Sequence, residues 1–249
     1  MAEPQRLYGM SALVTSAASG IGEAVARTLV KHGASVLAVD GLNSGVEQHF
    51  SSVRGIHGFG AELRDASRIP GLIEAAVEKL GTIDILINEF PLQPETPISE
   101  SGPVLDQLLE SRAELIMAMC RGALPYLRKS PAGRIVNIGF LRSVFSADGT
   151  DASERAERDL AALTRALAAE TGEFGITANY VQPGAIMTAV SREVFRKDKT
   201  LRDFCISSSA AKRLGEPVDV AKVVLFLASD DAVFVSGTGI AADGGRVGT

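Results

Sequence analysis

Seven short apolar runs, separated by stretches of helical periodicity, constrain this 249-residue chain more than any other feature. The runs are SALVT (11–15), SVLAVD (35–40), a short run at 55–60, IDILIN (83–88), GRIVNIG (133–139), GITANYVQPG (175–184) and GIAADGG (239–245). Between them, helical patterns cover 20–33, 44–53, 66–80, 104–129, 150–173 and 218–229. Strands that are apolar on both faces must be covered on both faces, and intervening helices supply that cover. The pattern predicts one α/β domain over residues 1–249, a doubly wound, seven-stranded parallel sheet flanked by helices. Right-handed crossovers would then bring the C-terminal strand ends to one ligand-binding edge.

Bulk properties exclude several functions. A net charge of −5 argues against nucleic acid, which selects a basic face. No apolar run approaches the roughly 20 residues that span a bilayer. The first ten residues, MAEPQRLYGM, lack the apolar core of a secretory signal. Cys120 and Cys205 stand far apart, and His32, His49 and His57 have no metal-ligand spacing. A reduced, cytoplasmic setting with no metal and no membrane contact is expected.

The turn TSAASGIG, Thr15 to Gly22, follows the first strand and opens the first helix. Such a turn lets backbone approach a pyrophosphate while the helix N-terminus stabilises its charge. Asp40 ends the second strand, where a carboxylate accepts ribose hydroxyls and repels a 2′-phosphate, so a dinucleotide here would be NAD. A second reading is that Gly20 and Gly22 only allow close helix–strand packing.

With these residues in place, the chain resembles the short-chain dehydrogenase/reductase family from about residue 8 to residue 245. TSAASGIG is similar to the family's TGxxxGxG loop, ELRD (62–65) to its segment near the adenine, and IDILIN to the strand before NNAG. GALP (122–125), GRIVNI (133–138), LTRALAAETGEFGITAN (163–179), PGAIMT (183–188) and the stretch 213–245 also follow the family pattern. The resemblance implies a Rossmann-like fold with a variable substrate lid at about 185–215. It also implies a Tyr that transfers the hydroxyl proton and a Lys four residues later that lowers the phenol pKa. A Ser thirteen residues before the Tyr orients the substrate, and an Asn on the preceding long helix completes a relay. An i,i+4 spacing stacks Tyr and Lys on one helix face, and a phenol needs that cation to act near neutral pH.

The chain departs from this pattern at every catalytic position. The register of LTRALAAE puts Ser153 at the Tyr position and Glu157 at the Lys position. Phe140 then takes the Ser position, and GALP places Arg112 at the Asn position. Phe140 cannot hydrogen-bond, Ser153 has no neighbouring His to act as base, and Glu157 would raise a neighbouring acid's pKa. The opposite charges of Arg112 and Glu157 predict an ion pair across the site. Ser16 replaces the loop's first glycine, and NNAG reads Asn88-Glu89-Phe90-Pro91, adding bulk and negative charge near the phosphates. Asn88 is expected to bond backbone groups of adjoining strands. Thr15, Gly20, Ile21, Gly22, Asp40, Glu62, Asn88, Pro183, Gly184, Ile186 and Thr188 match cofactor-contacting positions of the family, so a vestigial or weak NAD site is expected.

Three functions compete. A non-catalytic subunit would pair with an active paralogue, or with itself, as a hetero-oligomer or tetramer; fold alone does not imply activity. Its packing faces would be the long helices at 104–129 and 150–173, with their wide apolar stripes, and the segment 233–245. In this respect the chain resembles the inactive subunit of heteromeric dehydrogenases acting on hydroxyacyl-CoA compounds, such as the one of benzylsuccinate degradation. Alternatively, Arg142, Ser143, Asp148, Asp151, Ser153 and Glu157 form a polar set for rebuilt, non-redox chemistry; Asp148 and Asp151 equally suit capping of a helix N-terminus. A third possibility is a nucleotide-binding regulator whose basic segment 189–204 meets an anion, although such a run is more often a solvated helix face.

Overall fold

The computed structural model describes residues 6–91, 97–98 and 102–246. Residues 1–5, half of the segment read above as lacking a signal, lie outside the described residues, as do both ends of the 1–249 domain. One seven-stranded sheet forms the centre, with strands β1 (Ser11–Val14), β2 (Ser35–Asp40), β3 (Ile56–Gly60), β4 (Ile85–Asn88), β5 (Arg134–Ile138), β6 (Thr177–Pro183) and β7 (Gly239–Ala242). Its order is β3-β2-β1-β4-β5-β6-β7, and every pairing is parallel. The winding reverses between β1 and β4, and a crevice at such a switch point is where ligands of this architecture bind.

Alternation along each strand divides the core. Ala12, Val14, Val36, Ala38, Ile85 and Ile87 face one side, where α1 (Gly20–Lys31) and α8 (Pro217–Ala228) close over them with Ile21, Val25, Leu29, Val220 and Val224. Leu13, Leu37, Val39, Leu86 and Ile135 face the other side. There they meet α3 (Ile69–Leu80), α4 (Pro103–Leu127) and α5 (Thr150–Thr171), through residues such as Ile73, Ile116, Met119 and Leu167. All four side chains of β1 and of β4 are buried, as a sheet covered on both faces requires.

Element ends differ from the sequence expectation for stated reasons. The helix expected over 44–53 shrinks to α2 (Val46–Phe50), because Gly45 enters at φ +72°. The last strand stops at Ala242, before Gly244 and Gly245, whose φ values are +74° and +80°. The lid segment forms α6 (Ala189–Lys197) and α7 (Lys199–Ser207), divided at Asp198, whose carboxylate accepts the Leu201 N–H at 2.8 Å and so starts the second helix. Its charges pair locally, Arg196 with Glu193 and Arg202 with Asp203, as on a solvated face. Among the described residues no helix is long and apolar enough to cross a membrane, and no cluster of His, Cys, Asp or Glu could hold a metal.

The root of β1 is pinned to the segment before β4. The buried Asp84 carboxylate accepts the Ser11 N–H at 2.8 Å. Asp84→Ala would leave that buried donor unpaired, a cost of about 1–3 kcal/mol. A corresponding fall in the urea midpoint with an unchanged m-value checks this.

Candidate functional site at the strand ends

The glycine turn and the end of β4 are laced together at the switch point. The Thr15 hydroxyl donates to the Glu89 carbonyl at 2.7 Å and accepts the Glu89 N–H at 2.8 Å. Ser16 holds φ +52°, in the left-handed region that favours glycine, and its hydroxyl donates to the same carbonyl at 2.8 Å. That bond helps to offset the backbone cost of about 1–2 kcal/mol at a non-glycine residue. Asp40 serves the turn: one carboxylate oxygen accepts the Ala18 N–H at 2.8 Å and the other the Gly41 N–H at 2.7 Å. At Gly22 a Cβ would overlap the Ser16 carbonyl and stand 2.7 Å from Glu89 Oε2. The packing reading of this glycine is therefore satisfied in full.

Glu89 and Arg112 form a buried pair beside the turn. Glu89 is 8% and Arg112 5% exposed. Burial pushes the Glu89 carboxyl up to about 8; Arg112 opposes the rise, Asp40 adds to it, and the Gly22 N–H opposes it. Burial likewise pulls Arg112 down to about 10, against the attraction of Glu89. Neither Glu89 Oε2 nor Arg112 Nε has a hydrogen-bond partner of normal geometry. Both residues line a cavity of about 20 Å³ together with Phe140 and Val144, which is room for one water molecule. The Arg112 guanidinium lies over the Phe140 ring at 4.1 Å from its centroid.

The expected Arg112–Glu157 ion pair does not form, and the structure separates the four catalytic positions. Arg112 and Phe140 border the small cavity, whereas Glu157 lines a different, open groove of about 320 Å³ with Arg158, Arg165 and Tyr180. The reason is steric: Phe140 packs with Leu105, Val144, Phe145, Ala152 and Ala156, and this apolar cluster fills the space across which the charges would meet. Ser153 is buried on the first turns of α5, 8% exposed. Burial raises the Glu157 pKa; Arg246 opposes that, while Asp243 and Glu154 reinforce it. Tyr180, which lies off α5, reaches this groove from β6. Its phenol is shifted up by burial and by Glu157, the reverse of activation. Only the inter-element geometry could have found it.

The remaining positions have local duties. Asn88 does not bond strand backbone: its amide donates to Asn137 Oδ1 at 2.9 Å and to Cys120 Sγ at 3.6 Å. Asn137 in turn donates to the Thr164 hydroxyl at 3.1 Å, so a polar thread runs through the sheet. Ile21 is core, 1% exposed. Glu62 is exposed and accepts the Arg64 N–H. Pro183 ends β6, and Gly184 is pressed against Asp243, 2.7 Å from the Cβ it lacks. Ile186 bridges to Gly215, and Thr188 caps α6 by accepting the Ser191 N–H at 3.1 Å. Thr188 Cγ2 also lies 3.4 Å from where a Gly20 Cβ would be, so the lid root rests on the glycine turn.

The polar set read as rebuilt chemistry disperses. Arg142 donates to the carbonyls of Phe145, Ser146 and Ala147, and Ser143 is buried. Asp148 caps no helix and instead accepts the Ser146 hydroxyl, leaving Gly149 at the α5 N-cap, while Asp151 does sit in the first turn of α5.

A parallel sheet with a glycine turn and a terminal acid at its switch point is the architecture of Rossmann-like dinucleotide-binding folds. A family model described as enoyl-(acyl carrier protein) reductase matches residues 16–246. Similar proteins include a 3-oxoacyl-[acyl-carrier-protein] reductase of Thermotoga maritima, 28% identical over 97% of this chain and 99% of its own. Another is the (2S)-[(R)-hydroxy(phenyl)methyl]succinyl-CoA dehydrogenase subunit BbsD of Thauera aromatica, 30% identical over 94% of this chain and 95% of its own. The oxidoreductase UcpA of Escherichia coli is 29% identical over 96% of this chain. The chain belongs to the short-chain dehydrogenase/reductase family, whose members typically bind NAD or NADP.

The raised Glu89 pKa links stability to pH. Between the ordinary carboxyl value of 4.5 and about 8 the folded chain keeps a proton that the unfolded chain has lost. Its stabilising effect is complete below 4.5, declines through that window and is gone above it. Glu89→Gln removes this titration, so the variant should gain on the wild type by roughly 2–5 kcal/mol between pH 5 and pH 9. Denaturant unfolding of both proteins across that range reads the difference directly.

Proposed function

We propose that this chain is a catalytically inactive subunit that pairs with an active, NAD-dependent paralogue and supports it. The observation that carries the reading is Arg112 stacked on Phe140, inside an apolar cluster built where the family's substrate oxygen and proton relay would stand. With Ser153 buried and Glu157 in a separate groove, α5 presents no Tyr–Lys pair to hold and move a hydroxyl proton. The residues present do not fit a dinucleotide either. Glu89 stands beside the Gly22 N–H at the start of α1, and Thr188 crosses the turn, so no step is routed through NAD in this chain.

Partnership is supported by what remains exposed. Phe234 is fully exposed and Val233 65% exposed, just before β7, which is an edge strand of the sheet. Apolar side chains beside an open edge suit burial by another subunit. The relative from Thauera is itself named as a subunit of a hydroxy(phenyl)methylsuccinyl-CoA dehydrogenase, and another is named as a 3-oxoacyl-[acyl-carrier-protein] reductase. The partner's substrate class is accordingly a hydroxyacyl thioester, in the reduced, cytoplasmic setting expected from the sequence. A second reading, rebuilt chemistry, rests on the open groove of Glu157, Arg165 and Tyr180. The upward shift of the Tyr180 phenol there disfavours a phenolate base at neutral pH.

Co-expression with an intact paralogue tests the proposal. The two chains should co-purify, and omitting this chain should cut the paralogue's activity or its yield several-fold. Ser153→Tyr with Glu157→Lys should not make this chain active alone, since Phe140 and Arg112 still fill the pocket. Turnover of a hydroxyacyl thioester and NAD by the unaltered chain alone, or full paralogue activity without it, would sink the reading.

A further inference from the structure

The α1 N-terminus is an anion site in this fold, and in this chain it is already met from within. Helix α1 runs for 12 residues, and its N-cap Ser19 makes no side-chain capping bond, so the first-turn N–H groups lack that partner. A carboxyl group is there instead. Glu89 is rooted by the Thr15 and Ser16 hydroxyls on its carbonyl, and its side chain is more than nine-tenths buried. Oε2, without a hydrogen-bond partner, stands 2.7 Å from the position a Gly22 Cβ would take, and the Gly22 N–H acts on the carboxyl. A dinucleotide's pyrophosphate makes the same demand on the same N–H groups.

Two further contacts close the place. Thr188, the N-cap of α6, lays its methyl 3.4 Å from the Cβ position of Gly20, so the lid root covers the turn. Arg112 stands behind Glu89, and its charge opposes the rise in the Glu89 pKa. An entering phosphate would have to expel Glu89 from the space beside Gly22.

We propose that Glu89 is an internal ligand: its side chain replaces a dinucleotide's phosphate at the α1 N-terminus and, with Thr188 across the turn, keeps the lid root closed without nucleotide. This goes beyond the subunit reading and does not depend on a partner.

Calorimetry and thermal-shift titrations with NAD, ADP-ribose and inorganic pyrophosphate, on the full chain, test it. The wild type and the isosteric Glu89→Gln should bind none of them at millimolar concentration. Glu89→Gly, which empties the space, should bind ADP-ribose at least ten-fold more tightly than the wild type. Binding by the wild type overturns the proposal, as does a folded Glu89→Gly that still binds nothing. Equal gains in Glu89→Gln and Glu89→Gly would reduce the effect to charge repulsion and also overturn it. If Glu89→Gly fails to fold, hydrogen exchange of the wild type decides. A Gly22 amide protected without nucleotide and unchanged by NAD supports an internal ligand; one that exchanges freely overturns it. Nucleotide binding would leave the subunit role standing, and a paralogue indifferent to this chain would leave the internal ligand standing, so the two failures are distinguishable.

Discussion

The Thr15 hydroxyl, buried between the ends of β1 and β4, both donates to the Glu89 carbonyl and accepts the Glu89 N–H. That two-way bond fixes where the residue after Asn88 begins, and therefore where a long side chain at this position must go. In the family pattern the segment reads NNAG, so a short side chain follows the first Asn. With Glu in its place, the side chain meets the helix end at Gly22 and the charges of Arg112 and Asp40. The position of Arg112 follows in turn. A buried cation requires a countercharge or a π face, and this one has Glu89 on one side and Phe140 on the other.

Read in this order, the altered positions are mutually dependent. Phe140 alone would remove a substrate contact but leave an Asn or Arg beside it to find partners. Arg112 alone would be an unpaired charge in an apolar pocket, costly by several kcal/mol. Glu89, Arg112 and Phe140 line one small cavity, with Arg112 over the Phe140 ring, and Val144, Phe145 and Ala152 pack with Phe140. The polar thread of Asn88, Asn137 and Thr164 continues beneath them, so the sheet at the switch point is held by side chains that need no ligand.

Most of the architecture was legible because the hydrophobic periods carry it: seven runs became seven strands in the expected places, and the six helical stretches became helices. What the periods cannot carry is distance between elements. The register of α5 points to Ser153 and Glu157, and opposite charge alone suggests that Arg112 and Glu157 meet. The bulk of Phe140 and Phe145 decides otherwise, and Glu157 turns to the side of Arg246 while Arg112 turns to Glu89. Glu89 was legible as added charge near the phosphates; that its carboxyl would come against Gly22 depends on the Thr15 bond, which no spacing announces. Asn88 was read as a backbone partner because amides at strand ends often are, and it found Asn137 and Cys120 on neighbouring elements instead.

The scaffold survives such rewriting because the core and the site draw on different residues. The two main clusters are built from strand interiors and the inner faces of α1, α3, α4, α5 and α8, and neither needs Phe140, Ser153 or Glu157. An open catalytic cleft keeps polar groups and space where packing would be more stable, which is the usual tension between activity and stability. Packing apolar side chains such as Phe140 and Phe145 together is favourable by about 25 cal/mol per Å² of apolar surface buried. The exposed Phe234 and Val233 do not follow that rule. Burial inside the chain is available to Phe140 and Phe145, but the segment before β7 stays apolar and outward-facing at the sheet's edge. Apolar side chains thus fill the region around Phe140 inside the chain, while Val233 and Phe234 stay exposed beside the edge strand.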